Sequence, residues 1–179
     1  MRRHIFILLL FCALAATAQS HLEFNGIPID GTISAFTERM KKIGYVVDPS
    51  SKRMPAGQRW FADPDRDVTV SVSYDVKSKN VFCVTQIFQF DNPMACRRFF
   101  DGMKKRLFSR YVESDSCGSG EIESADGLPF YGVDVNNADC EFIGSISCRI
   151  DCDFSLLPDR ILLFIEYSDA LNSRKYFRP

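Results

Sequence analysis

Two cysteines, Cys148 and Cys152, lie four residues apart in the stretch SISCRIDCDF. Cysteines at this spacing occur as metal ligands, redox pairs, disulfide partners or plain core residues. The surrounding residues alternate between apolar and polar, which predicts a strand over Ser145–Phe154. Four residues of a strand span about 13 Å, whereas disulfide-bonded Cα atoms lie about 4.4–6.8 Å apart. The strand prediction therefore excludes a bridge between these two cysteines and assigns both to the core face of a sheet.

Bridges to other cysteines remain open, because an even number of cysteines in an exported chain permits disulfides. The chain has seven cysteines, and Cys12 lies in the N-terminal segment that we predict to be cleaved, which leaves six. Cys96 lies on the inward face of the second predicted helix and could bond to either Cys148 or Cys152. Cys140, in the segment before the strand, could bond to the other one. The disulfide candidates are thus Cys96, Cys140, Cys148 and Cys152.

Histidine is scarce, and this scarcity bears on catalysis. Beyond the N-terminal segment the chain has only His21, which we expect in a frayed end, too loosely held to act as a base. Cys117, in the Gly/Ser-containing stretch CGSG, is the best candidate for an exposed nucleophile, but no base accompanies it. We predict a protein that is not an enzyme. The alternative is a thiol- or metal-dependent enzyme centred on Cys117 or on Cys148 and Cys152.

The stretch DPDRD matches the start of a calcium-binding loop through Asp63, Asp65 and Asp67. The match then fails, because Val68 stands where the loop needs glycine and Tyr74 stands where it needs glutamate. A turn between two strands explains the stretch more simply. We therefore predict no metal site and no cofactor.

The N-terminal segment MRRHIFILLLFCALAATAQS has the pattern of a cleaved export signal. Arg2 and Arg3 precede an apolar run over 5–16, and the small residues Ala16 and Ala18 suit a signal peptidase. Residues 1–18 are the predicted signal peptide, and residues 19–179 are a single domain. No later segment is apolar enough and long enough to cross a membrane, so we predict a periplasmic or secreted protein.

Charge argues against a nucleic-acid partner, since removal of the signal leaves 20 basic residues against 23 acidic ones. The second predicted helix is locally basic. Its basic face is predicted to be solvated, and docking of an acidic partner, a phosphate or a membrane surface is the alternative. The basic residues are Arg97, Arg98, Lys104, Lys105, Arg106 and Arg110.

Two amphipathic helices are predicted. The first begins after Asp30 or Thr32 as N-cap and ends at Gly44. The second begins with Asn92 as N-cap and Pro93 as its first residue. Strands are predicted over Arg59–Ala62, Asp67–Val76, Val81–Phe90, Pro129–Val135, Ser145–Phe154 and Arg160–Ser168.

These elements define an α+β fold with two αβββ-like repeats, over about 26–90 and 91–172. The short links between strands predict an antiparallel sheet with the helices packed on one face and solvent on the other. The repeat pattern resembles the β-lactamase-inhibitor-protein-like architecture, a resemblance of architecture that implies no function.

The segment GIPIDG, Gly26–Gly31, and the closing LLFIEYSDALNS resemble an uncharacterised family of small exported proteins of Gram-negative anaerobic bacteria. That family typically ends in an aromatic-Asp-x-x-Asn motif, which corresponds here to Tyr167, Asp169 and Asn172 with Ser168 inserted. The second helix departs from the family, because YVESDSCGSG stands in place of a Gly-Lys-Pro-like turn. The resemblance implies export and an α+β fold and supplies no catalytic residues.

The polar face of the sheet is the predicted site of function. Hydroxyl and charged side chains alternate with apolar ones in both halves, and an aromatic side chain could anchor a ligand. We predict a non-catalytic binding module of the cell envelope that takes an unknown protein or envelope ligand, with a structural envelope component as another alternative. The candidate binding residues are Trp60, Ser71, Ser73, Arg149, Asp151 and Asp153.

Overall fold

A computed structural model describes residues 21–113, 121–123, 129–137, 139–151 and 161–173. Its strands are β1 Glu23–Phe24, β2 Ile27–Pro28, β3 Val46–Val47, β4 Gln58–Asp63, β5 Val68–Tyr74, β6 Val81–Phe90, β7 Glu121–Glu123, β8 Phe130–Asn136, β9 Phe142–Asp151 and β10 Ile161–Asp169. Its α-helices are α1 Ile33–Lys42, α2 Pro93–Leu107 and α3 Ala170–Ser173. A 3₁₀ helix spans Pro49–Arg53, and a π-helix, Phe108–Glu113, extends α2.

Eight strands form one antiparallel sheet in the order β3-β4-β5-β6-β10-β9-β8-β7. The two centre strands, β6 and β10, pair over Cys83–Phe90 and Ile161–Ser168. This pairing joins strands that are distant in sequence, whereas the outer pairs join neighbours in the chain. The mixed α+β class and the antiparallel sheet predicted from the sequence are confirmed.

The first helix begins and ends where local chemistry predicts. Of the two candidate caps, Thr32 is the one used: its hydroxyl accepts the backbone N–H of Ala35 at 3.4 Å. Gly44 follows the helix with φ of 97°, a left-handed conformation that glycine adopts without strain. The side chains of Phe36 and Met40 are fully buried, so the amphipathic pattern correctly identified the core face of α1.

The second helix is also capped as predicted. The side chain of Asn92 accepts the backbone N–H of Met94 at 2.8 Å, and Pro93 is the first helical residue. Cys96 and Phe100 are buried beneath the helix. Arg97, Arg98, Lys105 and Arg106 of this helix are exposed, whereas Lys104 lies 4.7 Å from the ring centre of buried Tyr131.

Contacts from both helices reach the same face of the sheet, here called the core face. Arg59 on β4 donates from Nη1 to the hydroxyl of Thr37 on α1 at 2.9 Å. On α2, the ring of Phe99 lies 4.7 Å from that of Phe88 on β6. The register places Arg59 opposite Val72 and Phe88 opposite Val68, on the side where the valines of β5 are buried.

The segment over 21–31 closes the core at one end of the sheet. Phe24 is fully buried, and its ring meets that of Tyr167 edge-on at 5.4 Å. Asn172 donates its side-chain amide to the carbonyl of Ile29 at 3.0 Å. Asp30 is held by Arg39, which bonds both its carboxylate and its carbonyl. The GIPIDG segment and the closing aromatic-Asp-x-x-Asn motif therefore contact each other.

Several boundaries differ from the prediction. The strand predicted to begin at Ser145 begins at Phe142, and the short strands β1, β2, β3 and β7 were not predicted because two or three residues carry no periodicity. The end of the predicted strand over 152–154 and the signal segment over 1–20 lie outside the described residues. Among the helices described, none has the length and apolar character that crossing a membrane requires.

Candidate functional site

The face of the sheet opposite α1 and α2, here called the open face, carries both halves of the predicted binding surface. The register aligns Trp60 with Ser71, Ser71 with Thr85, Thr85 with Glu166, and Glu166 with Ser147 across five strands. Since residues in register share a face, the serines of β5 and those of β9 point to the same side of the sheet. The two polar rows predicted separately thus form one continuous surface.

A hollow of about 250 Å³ lies on the open face, over β8, β9 and β10. The guanidinium carbon of Arg149 lies 4.9 Å from the ring centre of Phe164, within the range of a cation–π contact. Phe130 is the register partner of Arg149 on its other side, and both residues line the hollow. Arg149 is exposed and has no carboxylate within ion-pair distance in the described part of the chain.

A carboxylate lies in the same hollow. Glu166 is half-buried, and one of its oxygens accepts the hydroxyl of Ser168 at 3.2 Å. Ser145 and Ser147 line the wall next to it. The hollow therefore offers a cation on an aromatic ring, a carboxylate and two hydroxyl groups, which is a set suited to binding polar groups.

The other predicted residues lie on the far half of the open face. Trp60 is half-buried, and its indole N–H donates to the side chain of Gln58 at 3.3 Å. Ser71 is buried, with 8% of its surface exposed, and Ser73 is half-buried. Trp60 and Arg149 are separated by four strand spacings, or about 19 Å at about 4.8 Å each. The structure therefore does not bring all the predicted residues into one small site.

Two further residues of the predicted binding surface, Asp151 and Asp153, lie at and beyond the end of β9 in the sequence. Asp151 is the last residue of β9 and pairs in register with Leu162. Asp153 lies outside the described residues, as does Cys117.

The disulfide prediction is confirmed for Cys140 and wrong for Cys96 and Cys148. Cys96 and Cys148, both proposed as disulfide partners, are buried and form no disulfide, and the same holds for Cys83. Cys140 is disulfide-bonded, and no disulfide joins two cysteines of the described ranges. Cys148 does face the core, as predicted for a strand, and Cys152 lies outside the described residues. The helical and strand periodicity correctly predicted that Cys96 and Cys148 are buried, but burial alone does not produce a disulfide.

Burial also makes these thiols poor nucleophiles. It raises the pKa of the Cys148 thiol to about 12, with a smaller contribution from nearby Cys96. Burial likewise raises the pKa of Cys83 to about 12, and the neighbouring carboxylate of Glu166 adds to this effect. Because the thiolate is the reactive form, neither side chain has the character of a catalytic cysteine.

We expect Cys83 and Cys148 to be alkylated at pH 8 about a thousandfold more slowly in the folded protein than in denaturant, because both thiolates are depleted and shielded. Iodoacetamide labelling followed by peptide mapping would measure each site. Rapid labelling of Cys148 in the native protein would instead support the enzyme centred on that cysteine.

The DPDRD stretch forms a turn, as predicted. The carboxylate of Asp63 accepts the backbone N–H of Asp65 at 3.0 Å and lies 3.6 Å from the guanidinium of Arg66. These are contacts of a β4–β5 link rather than of a calcium loop. Within the described ranges, no group of three or more His, Cys, Asp or Glu side chains is arranged to hold a metal ion.

The expectation of a frayed His21 is wrong. Its Nδ1 lies 2.8 Å from Oδ2 of Asp169, whose side chain is completely buried at the end of β10. Burial raises the pKa of the Asp169 carboxyl, and the hydrogen bond from His21 partly offsets that effect. Local sequence could not reveal this pair, because the two residues are 148 positions apart.

Comparisons of the chain with protein-family models, with curated proteins and with solved structures each find no match.

Proposed function

We propose that this protein is an exported, non-catalytic binding module and that a partner protein in the cell envelope docks on its open face. The observation that supports this most is Arg149, an exposed guanidinium with no carboxylate partner in the described ranges, positioned over Phe164. Fixing an arginine on an aromatic ring lowers the entropy that it loses on binding. Arginine and aromatic residues are also enriched where binding energy concentrates.

The dimensions of the surface favour a protein over a small molecule. The hollow at Arg149 and the aromatic residue Trp60 lie about 19 Å apart. A small ligand in a hollow of about 250 Å³ cannot reach both. A protein interface covers about 800 Å² on each partner, which is enough to span them.

The occupant proposed for the hollow is an acidic side chain of the partner, paired with Arg149 between Phe130 and Phe164. Glu166 lies in the same hollow and would repel a partner with several acidic groups at that point. The hollow thus favours one carboxylate at a fixed position, with hydroxyl groups of Ser145 and Ser147 available for further hydrogen bonds.

We further propose that the domain consists of two repeats, as the sequence echoes indicate. The first four strands of the sheet follow α1 in the chain, and the last four follow α2. Each set runs from an outer edge to the centre, where the final strands β6 and β10 pair. This order is what two copies of one unit joined by their last strands would give. Export by residues 1–18 and membership of the resembling family remain parts of this proposal.

Site-specific photo-cross-linking would test the docking surface. A photoreactive amino acid in place of Ser147, on the open face, should yield a discrete adduct with a partner in cells that produce the protein. The same amino acid in place of exposed Arg98, on α2, should not yield that adduct. Identical adducts from both positions, or none from position 147, would contradict the proposal and favour a structural envelope component.

Arg149→Ala should weaken binding to the captured partner about tenfold or more. An arginine that becomes buried in a well-packed interface contributes more than about 1.4 kcal/mol to the free energy of binding. Arg66→Ala is the matched control, since Arg66 is equally a surface arginine but lies in the β4–β5 link. Calorimetric titration of each variant with the partner gives the comparison. Equal affinity of Arg149→Ala and wild type would count against this site.

A further inference from the structure

A second cavity lies on the core side of the sheet, away from the open face. Its volume is about 400 Å³, within the range of small-molecule sites. It lies between residues 21–26, the C-terminal half of α2, the adjoining π-helix and the strands β8, β9 and β10. The proposed partner-binding surface shares only Ile146 with it.

The inner wall of this cavity is apolar. Leu22, Leu107, Val135 and Ile146 are buried residues that line it. Such a wall favours the hydrocarbon part of a ligand, because contact removes apolar surface from water at about 25 cal/mol per Å².

The rim of the cavity is predominantly cationic. Arg106 and Arg110 both line it from exposed positions on α2 and on the π-helix. Arg110 also lies over the ring of Tyr111, 5.2 Å from its centre. Among the described residues that line the cavity, exposed Glu23 contributes the one carboxylate. The balance of the rim favours a single anionic group.

Two hydrogen-bonding groups lie in the cavity without protein partners in the described part of the chain. The hydroxyl of Tyr167 makes no hydrogen bond there, and burial raises its pKa to about 12, so it stays a donor. His21 uses only Nδ1 for Asp169, which leaves Nε2 available. The bond to Asp169 fixes the position of the imidazole ring at the cavity.

We propose that this cavity binds a small carboxylate with an apolar body, the carboxylate at Arg106, Arg110 and the Tyr167 hydroxyl and the hydrocarbon against Leu107 and Ile146. An arginine fork matches the two oxygens of a carboxylate. The apolar wall then accounts for the rest of the ligand. His21 adds one contact to the anionic group through Nε2.

Octanoate is a suitable probe, with octanol, acetate and inorganic phosphate as its matched controls. Octanol has the same hydrocarbon without the charge, and acetate and phosphate have the charge without the hydrocarbon. We expect octanoate to raise the melting temperature and to bind at least tenfold more tightly than any control in a calorimetric titration. Equal binding of octanol, or equal binding of acetate or phosphate, would overturn the proposal, as would the absence of octanoate binding.

Three variants locate the binding site. Arg106→Gln should weaken octanoate binding about tenfold, and Tyr167→Phe should weaken it several-fold while preserving the ring that packs on Phe24. Glu23→Gln should strengthen it several-fold, because it removes the opposing charge. Arg98→Gln, on the same helix but away from the cavity, should leave the affinity unchanged. An effect of Arg98→Gln equal to that of Arg106→Gln would show that general charge, not this cavity, is responsible. Circular dichroism of each variant confirms that folding is retained.

Discussion

Gly144→Ala should lower the free energy of unfolding by about 3 kcal/mol, a large effect for one added methyl group. A Cβ at this position would lie 2.3 Å from the carbonyl oxygen of Ser168 on the neighbouring strand β10 and 3.2 Å from Cδ2 of Leu22. The first contact involves backbone inside a paired sheet, which cannot move away as a flexible side chain would. At about 3 °C per kcal/mol, the melting temperature should fall by about 9 °C.

Gly102→Ala is the matched control for this prediction. Gly102 lies inside α2, and a Cβ there would have nothing within 4 Å. Alanine has the higher helix propensity, so this variant should be more stable than wild type by about 0.5–1 kcal/mol. Urea unfolding followed by circular dichroism gives both values. A Gly144→Ala variant as stable as wild type would show that β9 and β10 do not approach each other as closely as described.

His21→Ala should cost about 2–3 kcal/mol at neutral pH, because it leaves a completely buried carboxylate without its charged or hydrogen-bonding side-chain partner. The carboxylate of Asp169 would then depend on the backbone N–H groups of Leu171 and Asn172 alone. Adding Asp169→Asn should recover part of the loss, since a neutral amide is less costly to bury than an unpaired charge. A double-mutant cycle from urea titrations measures the coupling between the two side chains.

The pH dependence gives an independent measurement of the same pair. Burial raises the pKa of Asp169 above its usual 3.8, so the folded state binds this proton more tightly than the unfolded state does. The contribution of Asp169 to the free energy of unfolding therefore rises as pH falls through the raised pKa toward 3.8 and is lost as pH increases through that window. The penalty of His21→Ala should shrink in the same window, with Asp169→Asn as the pH-insensitive reference. A penalty that stays constant from neutral pH to pH 4 would contradict the assigned pair.

The helices α1 and α2 and the strands β4, β5, β6, β8 and β10 were predictable from the sequence because each depends on local signals. Asn92 and Pro93 define a helix start through chemistry confined to one turn, and the valines of β5 alternate over seven residues. The open face was predictable in each half for the same reason. The continuity of the open face across both halves was not predictable. It depends on the pairing of β6 with β10, which neither strand's sequence determines alone.

The cavity beneath α2 was beyond prediction for a related reason. Arg106 and Arg110 were visible as part of a basic helix face, and Tyr167 as part of a terminal motif. Nothing in the separate segments indicates that the residues near position 21 complete the enclosure, since that depends on the contact with Asp169. Two of the disulfide candidates, Cys96 and Cys148, failed for a similar reason: both are buried, but a bridge needs a specific geometry that periodicity does not encode.

The contact between the first described residues and the end of β10 also bears on the order in which parts of the domain fold. His21 and Asp169 are separated by 148 residues, so this contact closes nearly the longest loop that the described chain contains. Loop closure of that length costs much more entropy than any hairpin and is compensated only when the intervening sheet has formed. We therefore expect the first residues of the described chain to dock last, after β10 has joined the sheet. The cavity beneath α2, which His21 and Leu22 line, would then be complete only after almost the whole domain has folded.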